Sequence, residues 1–183
     1  MIYWFKRKYR QVKRVLDYLP MIWKGYDWDY KYATDLFAHQ LGRIADFLES
    51  DRAMAVSAKD NAKRIRTTLK LMKLVGDEEY AMEYFDYEDV ENYFVPCKDD
   101  EGYSTMETDY ISETYDEFFK KYPLTHKRVL NGEGIWGKQD NANNVTDFEL
   151  KRKDAMNVAY LNQERARKTL HKLIERNIQS WWD

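Results

Sequence analysis

The sequence predicts a mainly α fold: a helical bundle with a long C-terminal helix and an acidic, partly irregular middle segment. Three observations carry this. Apolar residues recur at helical spacing through most of the chain. Only 7 Gly and 3 Pro stand among 183 residues, too few for an all-β fold with many tight turns. And Thr146-Asp147-Phe148-Glu149 spells a capping box ahead of more than 30 residues of helical pattern. The length suits one domain, read here as residues 1–183, with a basic helical core (1–76), an acidic variable insert (77–145) and the long terminal helix (146–183).

The first helix is expected from Ile2 to about Leu19, stopping before Pro20 because the residue preceding proline avoids the α region. Phe5, Tyr9, Val12, Leu16 and Leu19 form an apolar stripe, and Arg7, Arg10 and Arg14 form a basic stripe beside it. A second helix starts near Asp27 or Asp29, either able to cap it, and reaches about Leu48. Its buried face is Tyr30, Ala33, Phe37, Leu41, Ile44 and Leu48. A third runs from Ser57 to Gly76 with Ala62, Ile65, Leu69 and Met72 on its core face. Lys59, Lys63, Arg66, Lys70 and Lys73 form a basic ridge alongside. Residues 77–95 read as an acidic helix with Tyr80, Tyr84, Tyr87 and Phe94 interleaved. Pro96 to Thr105 reads as a loop, 108–122 as a short helix, and 131–145 as a Gly- and Asn-rich break. In the last helix Ala155, Ala159, Ala166, Leu170, Leu173 and Ile178 supply the apolar face, and Glu164 and Lys168 stand at i, i+4 spacing for an ion pair.

The formal net charge of −2 hides a segregation. Residues 1–76 balance to +8, residues 77–118 to −15 with 16 carboxylates, and residues 119–183 to +5. The acidic segment either neutralises the basic helices or leaves a basic surface for an anionic ligand and an acidic one for a separate partner. The single cysteine, Cys97, forms no internal disulfide, which fits a reducing, cytoplasmic compartment. No apolar run approaches the ~18 residues of a spanning segment, and the start lacks the charge order of a signal peptide.

Chemistry-bearing motifs are few. Gly132-Glu133-Gly134-Ile135-Trp136-Gly137 matches G-x-G-x-x-G in letters, but a helical segment precedes it and polar loop follows, the wrong context for a dinucleotide fingerprint. His39, His126 and His171 have no metal-ligand spacing, and no Glu-x-x-His pair or nucleophile elbow is present, so neither a metal nor a catalytic residue is assigned. Glu79, Glu83 and Asp86 share a helical face and leave a carboxylate-bound metal hydrolase as a third reading. The segment Trp23-Lys24-Gly25-Tyr26-Asp27-Trp28-Asp29-Tyr30 is more unusual, with four aromatics, two carboxylates and a lysine at a helix-to-helix turn. Flat rings stack on nucleobases, and lysine attracts phosphate. The candidate ligand site is therefore Trp23, Trp28 and Tyr30 for stacking, Lys24 with Arg10 and Arg14 for phosphate, and Asp27 or Asp29 for polar edges. The alternative is structural: the tryptophans staple the turn and the aspartates cap helix two. At the other end, Trp181-Trp182 is expected to dock, since two exposed tryptophans invite aggregation. A basic first helix lying on an anionic membrane is a weaker option, because its charges interleave with a narrow apolar face.

Three strings, Ile2-Tyr3-Trp4-Phe5-Lys6-Arg7-Lys8, Ile22-Trp23-Lys24-Gly25-Tyr26-Asp27-Trp28-Asp29-Tyr30 and Asn177-Ile178-Gln179-Ser180-Trp181-Trp182-Asp183, resemble a group of small tailed-phage proteins of uncharacterised function. Members of that group carry a W-K-x-x-D-W-D-Y turn after the first helix and close on W-W-D. The resemblance implies a virus-encoded, cytoplasmic accessory protein and no particular activity. Together these readings lead to an expected non-enzymatic, homo-oligomeric binder that sequesters a nucleotide-type or other phosphorylated small molecule. It needs no cofactor, touches no membrane and reads no nucleic-acid sequence. The alternative is an inhibitor of a host protein, in which residues 77–118 mimic nucleic-acid phosphates.

Overall fold

A computed structural model describes residues 2–25, 30–96, 102–135 and 146–181. Its elements are α1 (Ile2–Lys24), α2 (Tyr30–Glu49), α3 (Ala58–Gly76), α4 (Glu79–Met82), a 3-10 segment (Glu83–Tyr87), β1 (Glu88–Pro96), β2 (Ser104–Glu113), α5 (Tyr115–Lys121), α6 (Pro123–Leu130) and α7 (Asp147–Asn177). The fold is mainly α, with one two-stranded antiparallel sheet among the described residues. The chain divides into two compact units, one of residues 1–76 with 170–183, the other of residues 77–169.

In the first unit, α2 and α3 pack through Leu41, Ala45, Ile65 and Met72, joined by Leu170 and Trp181 from the C-terminal segment. The expected faces hold for Ala62, Ile65, Leu69 and Met72, and for Phe37, Leu41, Ile44 and Leu48, all buried or half-buried. Tyr30 and Ala33, on the first turn of α2, are exposed instead. The basic ridge of α3 is exposed, and its Arg66 binds Glu49 and Asp46 of α2 at 2.8 and 2.6 Å. The proposed caps Asp27 and Asp29 lie outside the described residues. The first helix does not stop at Pro20 but continues to Lys24. Proline forfeits one intrahelical hydrogen bond, yet the turn before it is anchored. Tyr18 donates to Gln40 and Asp17 pairs with Arg43 at 3.2 Å, so the helix is held across the break. It closes on Gly25, whose N–H donates to the Met21 carbonyl at 3.0 Å. A Cβ at Gly25 would lie 2.1 Å from the ring of Tyr32, so this turn has room only for glycine.

In the second unit, Tyr84, Tyr115, Phe118, Phe119 and Val129 pack on Ala155, Val158 and Ala159 of α7. Here the helical reading of 77–95 and of 108–122 is corrected. Only 79–82 and 115–121 are α-helical, while 88–96 and 104–113 are paired strands, Phe94 opposite Met106 and Val95 opposite Thr105. The residues responsible are Val90, Tyr93, Phe94 and Val95 in β1 and Thr105, Thr108, Tyr110 and Ile111 in β2, β-branched and aromatic types that favour a pleated surface. The register shifts between Asp89 and Val90, leaving Ile111 as an extra residue in β2. The short helix does end ahead of Pro123, as α5 stops at Lys121, and Pro123 itself starts α6, at a position where its missing N–H costs nothing.

The capping box forms as expected: the Glu149 N–H donates to Thr146 Oγ1 at 3.2 Å, and the Thr146 N–H donates to Glu149 Oε2 at 2.8 Å. The expected Glu164–Lys168 pair gives way to Glu164–Arg167 at 2.7 Å, one turn position closer. Two glycines of the G-x-G-x-x-G string, Gly132 and Gly134, serve the backbone. At the end of α6, the Gly132 N–H donates to Val129 and the Glu133 N–H to Arg128, a Schellman cap with Gly132 at φ +95°. Gly134, at φ +146°, lies so close to α7 that a Cβ would sit 2.3 Å from Asn157 Oδ1.

Candidate functional site

The cleft with the most varied chemistry lies within the first unit. It has a volume of about 560 Å³ and is lined by Arg14 and Tyr18 of α1, Gln40, Arg43, Ile44, Phe47 and Leu48 of α2, and Trp181. Arg14 and Tyr18 are one helical turn apart and share a face. Gln40, Arg43, Ile44 and Phe47 follow at steps of three, one and three, so α2 presents them side by side.

The polar wall is organised before any ligand arrives. The Tyr18 hydroxyl donates to Gln40 Oε1, its ring meets the His39 ring edge-on at 4.9 Å, and the Arg43 guanidinium lies over it at 5.4 Å. Asp17 pairs with Arg43 at 3.2 Å. Trp181 forms the floor, only 1% exposed. It is placed by its backbone N–H donating to the Asn177 carbonyl at 3.1 Å and by the buried Asn61 side-chain amide donating to the Ser180 carbonyl at 2.9 Å. Its indole Nε1 is buried without a hydrogen-bond partner. A buried donor left unmatched is costly to the fold. Two guanidiniums, an amide and aromatic walls suit a planar ligand bearing anionic groups.

Arg14 also belongs to an open trough on α1 with Tyr3, Lys6, Arg7, Arg10 and Gln11. The sequence-selected residues thus divide. Arg14 lines the cleft and, with Arg10, the trough. Trp23, 85% exposed, and Lys24 sit on the last turn of α1, and Tyr30 opens α2, exposed; none of these three lines the cleft. Asp27, Trp28 and Asp29 lie outside the described residues. Sequence reasoning missed Tyr18, Gln40, Arg43 and Phe47. Tyr18 continues the Arg7-Arg10-Arg14 stripe at i+4 and was legible there, whereas Arg43 carries no local signal.

A second polar cluster, in the other unit, is closed on itself. Glu88, its side chain 1% exposed, accepts from Arg152 Nε at 2.8 Å and from the Tyr115 hydroxyl. Burial first, then the Glu88 carboxylate, raises the Tyr115 phenol far above its ordinary range. Burial likewise raises Tyr84, against the opposing pull of Arg152. Glu83 accepts from Lys121 and from Tyr122, whose phenol is pushed up to about 12 by burial and then by that carboxylate. Glu113 binds Lys151 at 2.9 Å. These carboxylates neutralise cations of the same unit, and Glu83, one of the three considered for a metal, is already engaged. Among the described residues no group of three or more His, Cys, Asp or Glu is placed to hold a metal ion, and no helix is long and apolar enough to cross a membrane. Comparison of the chain with protein-family models, with curated proteins and with solved structures gives no match.

Proposed function

We propose that the protein is a non-enzymatic accessory binder that sequesters a nucleotide-type or other phosphorylated small molecule in the cleft of its first unit. The observation that carries this is the combination of Arg14 and Arg43 with Tyr18 and Phe47 in one cleft. Phosphate oxygens would take the guanidiniums, and Phe47 and Tyr18 would flank the base. On this reading the role would be to sequester a host immune signal, and the resemblance to small tailed-phage proteins is consistent with a virus-encoded accessory protein working in the bacterial cytoplasm.

The test is native mass spectrometry of the protein purified from bacteria, set against its denatured mass, followed by calorimetry with a nucleotide panel. A bound small molecule, or micromolar binding lost in Arg14→Ala and Arg43→Ala, supports the reading. Clean apo protein with no heat from any nucleotide overturns it. The same spectrum reads the homo-oligomer expected from the sequence.

The hairpin favours a second reading, an inhibitor that mimics nucleic acid. Glu107 and Asp109 share one face of β2, with Glu91 across from Asp109. Alternate residues on a strand are about 6.7 Å apart, close to the roughly 6–7 Å spacing of phosphates along one strand. Replacing Glu91, Glu107 and Asp109 by their amides would abolish capture of a nucleic-acid-binding host protein while leaving the cleft's ligand binding unchanged.

A further inference from the structure

The first helix docks on its own unit by the wrong side. Asp17 and Tyr18 make its contacts with α2, so the polar arc faces inward over the second half of the helix. The opposite arc is apolar and uncovered: Phe5, Val12, Leu16, Leu19 and Trp23 are all exposed. At about 100° per residue these five fall within roughly 60° of one another, and Val15, Trp4 and Ile22 widen the arc on one flank. The interleaving that argued against a membrane is therefore not what the helix displays. Lys6, Arg7, Arg10 and Arg14 gather on the far side with Lys13 at the border, and Lys8 alone interrupts the apolar arc.

We propose that α1 lies in the plane of an anionic membrane surface, its apolar arc at the acyl boundary and its border cations among phospholipid headgroups. Charge chooses the occupant. The helix carries seven Lys or Arg against one Asp, and residues 1–76 balance to +8. A second copy of α1 would bring together two helices that each carry seven cations against one aspartate, whereas an anionic bilayer attracts each cation near its surface. Tryptophan and tyrosine on the exposed side are the types that rest at the headgroup level, and phenylalanine and leucine fill the apolar face below it. The helix spans about 34 Å, enough for a stable in-plane footprint. This site is on the side of α1 opposite the ligand cleft and does not depend on it.

The test is sedimentation of the full chain with phosphatidylcholine vesicles, with and without about a third phosphatidylglycerol. The expected result is co-sedimentation with the anionic vesicles only, weakened when salt rises from about 0.1 M to about 1 M. Val12→Glu and Leu16→Glu, both on the solvent-facing arc, should leave helicity and melting unchanged and weaken vesicle binding by about tenfold or more each. Three outcomes overturn the proposal: no sedimentation with anionic vesicles; equal binding by the wild-type and glutamate variants; or an oligomer that Leu16→Glu dissociates in the absence of lipid binding, which would assign the arc to a second copy.

Discussion

Glu88→Gln tests the least conspicuous part of the molecule, the buried ion pair in the second unit. The substitution keeps volume and an acceptor for the Tyr115 hydroxyl but removes the charge opposite Arg152. The carboxylate is 1% exposed and the arginine side chain 25%. Breaking a fully buried pair costs about 3–5 kcal/mol because the surviving ion is stranded. Partial exposure of Arg152 lets water share that burden, which brings the expected loss to about 2–4 kcal/mol. For a unit of under about 100 residues this lowers the melting temperature by roughly 8–30 °C. The assay is amide hydrogen exchange at Phe118, Phe119 and Val158, all in this unit's core, alongside a near-ultraviolet thermal melt. Adding Arg152→Met should recover part of the loss, since the stranded cation is gone. A change below about 0.5 kcal/mol, or no recovery in the double variant, would show that Arg152 is solvated where it stands and that the pair is not the strut argued here.

Other perturbations follow from single features. Gly134→Ala combines a left-handed φ with a Cβ driven onto Asn157 and should destabilise the second unit by about 2 kcal/mol or more, read by the same exchange measurement. Lys151, and secondarily the Tyr115 N–H, hold the Glu113 carboxyl below its ordinary range. Its stabilisation is therefore present above about pH 4.3 and lost as pH falls below it, so Glu113→Gln should flatten the acid limb of melting temperature against pH. Asp154 has the opposite sign: burial raises its pKa, so its charged form disfavours the fold once pH exceeds the ordinary range. Asp154→Asn should raise the melting temperature at pH 7 and leave it unchanged below about pH 3.

Elements whose signal is contained in a single segment were legible from the sequence. The 3.6-residue stripe located α3, and Thr146 with Glu149 marked the start of α7, because these interactions lie within a few residues of one another. The hairpin was not, since Val90 to Val95 becomes a strand only against Thr105 to Tyr110, a partner that no local period reveals. Tyr80, Tyr84 and Tyr87 kept a helical step into the 3-10 segment, and that step misplaced Phe94. Pro20 misled for a related reason, the compensation coming from Gln40 and Arg43 on another helix. At the site, Arg14 was found through its stripe. Arg43 and Trp181 reach the cleft only through the docking of α2 and the C-terminal segment, about 140 residues apart along the chain.

The hairpin is a small element with a large exposed perimeter. Each of its strands has one neighbour among the described residues, so each keeps an outer row of backbone donors and acceptors open to another chain. Phe94 and Met106, paired and exposed, would reward such an addition. Glu91, Glu107 and Asp109 work against it by setting like charge against like when two hairpins approach edge to edge. The carboxylates thus act as a solubility guard on the strand edges, whatever else they bind. At about 1 M salt, where screening shortens to about 3 Å, that guard weakens and the molecule becomes a candidate for strand-mediated polymerisation.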